Sequence, residues 1–316
     1  MIDLSAFKEQ LNGKAVAVYG LGLSGLSVVE AFVAHDIPCH VWDDNDANIE
    51  IAKKIGGKSV PFHEDDMGDY AFLVLSPGIP LTHPSPHPVV IKAQETELEI
   101  ICDVEVFYRA LKAADLNHSI IGITGTNGKS TTTALIGHIL KDNDVPCAVG
   151  GNIGKPVMSL DVPEKDGWIV LEISSFQLDL CRQFRPDIGV LINMVPDHLD
   201  RHGDMDGYVR AKTRMFQNGT QIAVIGVDNK VTRDIADKLD DEDSRVERII
   251  PVSIKNAVPK GVYDDDGKLI DKAFQDEATA IGKFSEIKHL PGLHNRQNII
   301  VGYAAARCVG LNTEKI

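Results

Sequence analysis

Twice along this chain a short apolar run ends in a glycine-rich loop that opens directly into a helical pattern, and this constrains the fold more than any other feature. The first loop is Gly20-Leu21-Gly22-Leu23-Ser24-Gly25, set between the apolar residues 15–19 and the helical run 26–35. The second is Gly125-Thr126-Asn127-Gly128-Lys129-Ser130-Thr131, reached from residues 119–123 and continued by a helix to about Lys141. A strand that turns straight into a helix can pair with its successor only after that helix has carried the chain back. The alternation therefore predicts an α/β protein built on parallel sheets with helical crossovers.

In the first half, residues 15–19, 38–42 and 72–75 read as strands, and segment 77–88 holds too many prolines for a regular element. In the second half, residues 119–123, 168–173, 188–193 and 221–227 read as strands, after an apolar-periodic segment at 100–111. A chain of 316 residues exceeds the roughly 250 to 300 at which a single core stops growing. Two domains are expected, 1–97 and 98–316, with the boundary near Glu97. The clusters Asp240-Asp241-Glu242-Asp243 and Asp264-Asp265-Asp266 read as solvated turns, because they lack the alternating ligands of a calcium loop.

With 46 acidic against 32 basic residues, the formal net charge of -14 repels phosphate backbones and anionic lipids. No apolar stretch nears the roughly 18 residues of a membrane-spanning helix, and the polar N-terminus has no signal-peptide pattern. The five cysteines are scattered and never form a CxxC pair, which fits a reducing compartment and neither a disulfide framework nor a zinc cage. These features lead us to expect a soluble, cytoplasmic protein with no nucleic-acid or membrane partner, and a monomer is expected.

In the first loop, glycines let the backbone approach a pyrophosphate at a helix N-terminus, where free N–H groups and the helix dipole favour negative charge. Asp43 closes the next strand, where an acidic side chain can accept hydrogen bonds from a ribose or a base. The pattern suits a dinucleotide and a UDP-linked substrate equally, and a tight turn without ligand shares it. In the second loop, successive backbone N–H groups would cradle phosphates, Lys129 would reach the terminal ones and the Ser130 hydroxyl would sit on a magnesium ion. The strict GxxxxGK spacing fails, since Ile123 stands where the leading glycine belongs and the glycine is Gly122. That departure points away from GTPases and motor ATPases.

Glu172 ends an apolar strand, where a carboxylate can hold magnesium, and Asp197 and His198 follow a neighbouring strand towards the same crevice. Lys212 lies beside an apolar stripe of Tyr208, Ala211 and Met215. On spacing alone it is a surface lysine with a snorkelling stem, although partial burial would lower its pKa.

Together these residues resemble a family. Gly125-Thr126-Asn127-Gly128-Lys129-Ser130-Thr131, Gly151-Asn152-Ile153-Gly154, Glu172-Ile173-Ser174-Ser175-Phe176-Gln177-Leu178, Asn193-Met194-Val195-Pro196-Asp197-His198-Leu199-Asp200-Arg201-His202 and His294-Asn295-Arg296-Gln297-Asn298 resemble, in order, the motifs of the Mur ligases, which build the peptide of peptidoglycan. The resemblance covers nearly the whole chain. The Glu172 motif, with Ser76-Pro77-Gly78, is similar to the branch that adds D-glutamate to UDP-N-acetylmuramoyl-L-alanine.

The resemblance implies a Rossmann-like N-terminal domain followed by a P-loop-type ATPase central domain with a mainly parallel sheet, using ATP and Mg2+. It implies that Gly20, Leu23, Ser24, Asp43 and Ser76 hold the UDP part of the substrate and that Asn152 contacts it near the reacting end. Lys129 and Ser130 would take the ATP phosphates, Asn295 and Asn298 would face the adenine, and Glu172 and His198 would serve magnesium. Lys212 would be carbamylated and become a further magnesium ligand. The implied reaction makes an acyl phosphate from the L-alanyl carboxylate and ATP, which the amine of D-glutamate then displaces.

Family members carry a third, C-terminal domain that binds the incoming amino acid. This sequence stops at Ile316, near the end of the second domain, so a truncated chain with little or no ligation alone is expected. A folylpolyglutamate synthetase shares the phosphate loop and the modified lysine but lacks a front domain opening with GxGxxG. An NAD(P)-dependent oxidoreductase would leave the second loop unexplained.

Overall fold

Two parallel sheets, each with its own glycine loop, follow one another along the chain. The computed structural model describes residues 2–62, 66–164, 166–241 and 245–316. The first sheet is formed with α1 (Ser5–Gln10), β1 (Val16–Tyr19), α2 (Leu23–Ala34), β2 (Cys39–Trp42), α3 (Asp46–Ile55), β3 (Lys58–Ser59), β4 (Leu73–Leu75), α4 (Pro88–Glu95) and β5 (Ile100–Ile101). Its strands run in the order β3-β2-β1-β4-β5, all parallel. Every residue of β1 and β4 is buried, so these strands read as apolar runs rather than alternations. Asn45 starts α3 by accepting from the Ala47 N–H, and Gly56 ends it in the left-handed conformation.

The first sheet runs past the boundary expected near Glu97, because Ile100 and Ile101 pair with Leu73 and Val74. A two-residue strand has no period of its own, and its isoleucines merge with the apolar pattern of the next helix, α5 (Asp103–Ala113).

The second sheet is formed with β6 (Ser119–Thr124), α6 (Lys129–Asp142), β7 (Cys147–Gly151), β8 (Trp168–Glu172), α7 (Ser175–Leu180), β9 (Ile188–Leu191), α8 (Leu199–His202), α9 (Met205–Thr213), β10 (Ile222–Gly226), α10 (Lys230–Leu239), β11 (Arg248–Ser253), β12 (Val262–Asp265), β13 (Lys268–Asp271), β14 (Thr279–Lys283) and α11 (Leu293–Val309). Among the described residues it has nine strands, in the order β14-β13-β12-β11-β10-β9-β6-β8-β7. Pairing is parallel from β7 through to β12 and antiparallel in β12-β13-β14.

The sequence reading omits β7 and β11–β14. β7 is Cys-Ala-Val-Gly-Gly and β14 is mostly exposed, so neither presents an apolar run. Asp264 and Asp265 lie at the end of β12, and the Asp264 side chain is 5% exposed and pairs with Arg296 at 2.7 Å. This corrects the reading of a wholly solvated turn: a guanidinium from α11 compensates one carboxylate as the sheet covers it. Of the other cluster, Asp240 and Asp241 follow α10, while Glu242 and Asp243 lie outside the described residues.

A continuous apolar cluster joins the two sheets, running from Val18, Phe32 and Phe107 to Met158, Leu178 and Phe184. Within it Glu105, fully buried on α5, accepts backbone N–H groups from Arg182, Gln183 and Phe184 and the Nε–H of Arg109 at 2.8–3.1 Å. A buried carboxylate is tolerated only when it is satisfied in this way. Asp103 is likewise buried; it accepts from Gln177 of α7 at 3.1 Å and hydrogen-bonds with Ser24 of α2. Burial raises its pKa. No helix among the described residues is long and apolar enough to cross a membrane.

Candidate functional site

In each sheet the strand order reverses beside the strand that carries a glycine loop, and ligand crevices form off the C-terminal strand ends at such points. In the first sheet the reversal lies between β1 and β4. Gly20 follows β1 and Gly25 packs so tightly on it that a Cβ would strike the Gly20 carbonyl oxygen. Ser76 follows β4 and faces Gly20 directly. Asp43 accepts the Leu21 N–H on one carboxylate oxygen and the Asn45 N–H, at 2.8 Å, on the other. It therefore holds the loop in shape as well as standing beside it. Leu23, an apolar residue 80% exposed, and half-buried Ser24 open α2. The structure thus brings Gly20, Leu23, Ser24, Asp43 and Ser76 to one rim.

The second crevice lies off β6, β8 and β9. Gly125, Thr126, Asn127 and Gly128 wrap from β6 to the start of α6, which begins at Lys129 and carries Ser130 and Thr131 in its first turn. Gly128 has φ +86°, and any side chain there would collide with Asn298. The Lys129 ammonium lies over the loop, donating to the Gly125 carbonyl at 3.1 Å and the Thr126 carbonyl at 2.9 Å. Ser130 Oγ donates to Glu172 Oε2 at 2.8 Å, and Asn152 Nδ2 donates to Glu172 Oε1 at 3.1 Å. Glu172 sits in register with Ile123 and Gly151, so the pairing of β6, β7 and β8 brings these three side chains together.

Lys212 corrects the expectation of a surface lysine. Only 1% exposed, it donates from Nζ to Thr124 Oγ1 at 3.0 Å and to the Gly125 carbonyl at 2.9 Å, over the Tyr208 ring. Desolvation, reinforced by repulsion from Lys129, lowers its pKa to about 7. Spacing along α9 gives the angle of the side chain; what covers it is the phosphate loop, which is distant in sequence.

His198 stands at the flank of the crevice. Its Nε2 is 3.4 Å from Asp197 Oδ2, its side chain is 49% exposed, and its ring packs on Phe176 with centroids 4.9 Å apart. Among the described residues it makes no side-chain hydrogen bond to Lys129, Ser130, Glu172 or Lys212. Asn295 and Asn298 line a cleft of about 570 Å3 together with Asn127, Gly128 and Thr131. Asn298 is 4% exposed, accepts from Thr132 Oγ1 at 3.3 Å and donates to Asn295 Oδ1 at 3.1 Å. It buttresses the loop from beneath, while Asn295 is the more open of the pair.

Three residues without a sequence-assigned role belong to this site. Asn193 accepts the Asn127 N–H at 2.9 Å and donates to the Asn127 carbonyl at 3.1 Å. It follows β9, so the strand-end rule that identifies Glu172 also points to it. The hydroxyl of Tyr208 lies 3.1 Å from Thr126 Oγ1. Arg201 reaches the Pro77 and Gly78 carbonyls on the loop after β4, which no local pattern reveals.

The donor set suits Mg2+. That ion takes oxygen ligands, keeps several waters and is bound through one or two carboxylates plus substrate phosphates. Ser130 Oγ and the Glu172 carboxylate are such oxygens, beside a helix N-terminus that favours phosphate. Among the described residues no three His, Cys, Asp or Glu side chains form a cage that would hold a metal without phosphate.

Residues 123–306 match the family model of the Mur ligase middle domain, and residues 14–102 match that of the Mur ligase MurD-like N-terminal domain. The chain is 43% identical to a UDP-N-acetylmuramoylalanine--D-glutamate ligase of Caulobacter sp. (strain K31), over 98% of this chain and 66% of that protein. It is 42% identical to a protein of the same name from Phenylobacterium zucineum, over 100% of this chain and 66% of that protein. It therefore spans about 66% of the length of these curated relatives. In fold it is similar to a UDP-N-acetylmuramate:L-alanyl-gamma-D-glutamyl-meso-diaminopimelate ligase from Neisseria meningitides, with TM-score 0.62 and 16% identity over 96% of this chain and 95% of that one.

Proposed function

The chain belongs to the Mur ligase family, and from that premise we propose that it provides the UDP-substrate and ATP crevices of an ATP-dependent ligase that joins D-glutamate to UDP-N-acetylmuramoyl-L-alanine. The observation that carries the reading is the Ser130–Glu172–Asn152 chain beside Lys129 and buried Lys212, at the switch point of a parallel sheet. Identity above 40% to relatives named for that reaction supports the choice of substrate. The net acidic charge and the free cysteines support a cytoplasmic protein that uses small-molecule substrates. In this reading the chain divides into two domains at the end of the first sheet, and each crevice takes one substrate.

In the first half-reaction a carboxylate oxygen of the L-alanyl group bonds to the γ-phosphorus of ATP as the bond to ADP breaks. In the second, the D-glutamate amine bonds to the acyl carbon, phosphate leaves with the electron pair and the nitrogen gives up a proton to solvent. The first step brings two anions together, so its barrier falls mainly through positioning and charge neutralisation. Loop N–H groups and the α6 dipole bind the phosphates, and Lys129 exchanges its loop carbonyls for phosphate oxygens. Bound magnesium would add a Lewis-acid charge at Ser130 and Glu172.

Asn152 holds the Glu172 carboxylate in place and borders the reacting acid. A lysine pKa near 7 leaves about half of Lys212 as free amine at neutral pH. That nitrogen can bond to the carbon of carbon dioxide, releasing a proton to solvent and leaving a carbamate oxygen donor next to Glu172. His198 borders the reacting groups from the Phe176 side. No residue of this chain is assigned to the incoming D-glutamate.

Isothermal titration tests the assignment. The chain is expected to bind ATP and UDP-N-acetylmuramoyl-L-alanine, and Lys129→Ala is expected to weaken ATP at least about tenfold while leaving the UDP-substrate unchanged. Binding of NADH in place of both would overturn it.

A further inference from the structure

Arg201 stands in the short helix α8 that His198 opens, yet its guanidinium reaches the other domain. Nη1 donates to the Gly78 carbonyl at 3.0 Å and Nη2 to the Pro77 carbonyl at 3.4 Å. These residues directly follow Ser76, which faces the first glycine loop. The same guanidinium lies 4.7 Å from the centroid of the Phe176 ring, and that ring packs on both His198 and His202 at 4.9 and 5.3 Å. Among the described residues its Nε is buried without a hydrogen-bond partner, and the ring beneath it and the two carbonyls place the group. A second close approach lies beside the first: a side chain at Gly203, just past α8, would meet the His83 ring at 2.7 Å, and His83 is on the same first-domain loop.

We propose that Arg201 is a positioning residue that latches the Ser76-Pro77-Gly78 turn to the His198 helix, and so sets the separation between the acid held on the UDP-linked substrate and the phosphates of ATP. The proposal rests on the assignment of the two crevices made above. A planar fork suits the task. Guanidinium donates to two adjacent carbonyls while its face stacks on an aromatic ring, whereas lysine offers a single charged point. The latch joins the substrate turn to Phe176, and Phe176 packs on His198. Loosening it should disturb the substrate crevice and leave the phosphate loop intact, since that loop is held separately by Asn193, Tyr208 and Asn298.

Two variants of the chain separate the outcomes, each titrated calorimetrically with UDP-N-acetylmuramoyl-L-alanine and with ATP and checked by thermal melting. Arg201→Met keeps an apolar stem on Phe176 and removes the donors. It is expected to weaken the UDP-substrate about tenfold and ATP by less than about twofold. Arg201→Lys keeps the charge and is expected to fall between, at about threefold. Unchanged substrate affinity in both variants would overturn the latch. So would parallel loss of substrate and ATP with a lowered melting temperature, the mark of a merely structural residue. A wild-type chain that binds no UDP-substrate would instead remove the crevice assignment beneath it.

Discussion

Lys212 offers the sharpest physical test, because its burial should be readable as a pH dependence of stability. The ammonium is 1% exposed and beside Lys129, and its pKa falls from the ordinary 10.5 to about 7. Between those two values the unfolded chain carries a proton on this nitrogen that the folded chain does not. Stability must therefore rise with pH across that window. The contribution is fully present above the unfolded pKa and is lost as pH falls to the folded one. One proton corresponds to about 1.4 kcal/mol per pH unit, so from pH 7.5 to 9.5 the gain is about 2.5 kcal/mol.

Cysteines and tyrosines also titrate near the top of this range, so the measurement is a difference. Urea unfolding of wild type and Lys212→Met, in buffers free of carbon dioxide, should show wild type gaining about 2.5 kcal/mol on the variant over those two pH units. A pH-independent difference would mean that the folded chain keeps the ammonium charged, and the argument from desolvation would be wrong.

Three further outcomes are expected. Gly128→Ala places a methyl group against Asn298 at a positive φ, and should cost about 1–3 kcal/mol in thermal unfolding along with most ATP affinity. Asn193→Ala leaves the Asn127 N–H without its side-chain acceptor and should weaken ATP about tenfold by calorimetry, with the UDP-substrate unaffected. Glu105→Gln puts an amide among three backbone donors and Arg109, and should lower the melting midpoint by roughly 5–10 °C; a change under about 2 °C would count against Glu105 as an anchor between α5 and the 182–184 turn.

How much of this molecule is legible in its sequence follows from the range of the interactions that shape each part. The central strands, both glycine loops and the helices they open could be located from order alone. Apolar runs buried on both faces, the φ freedom of Gly20 and Gly128 and the free N–H groups at the starts of α2 and α6 all depend on residues within a few positions of one another. Glu172 could be placed in the crevice because a strand end is a local property. The family resemblance rested on the same short segments.

Other features were decided only when strands from distant parts of the chain came into register. Periodicity puts Lys212 at the surface, yet Thr124 and Gly125 close over it. β5 is too short to signal itself, and only β4 makes it a strand. Arg201 reads as one member of a polar motif until the turn after β4 arrives beside it. Backbone conformation and helix starts are set by neighbours in sequence, whereas the desolvation of a charge or the pairing of a guanidinium is set by neighbours in space, and those exist only once the two sheets have packed.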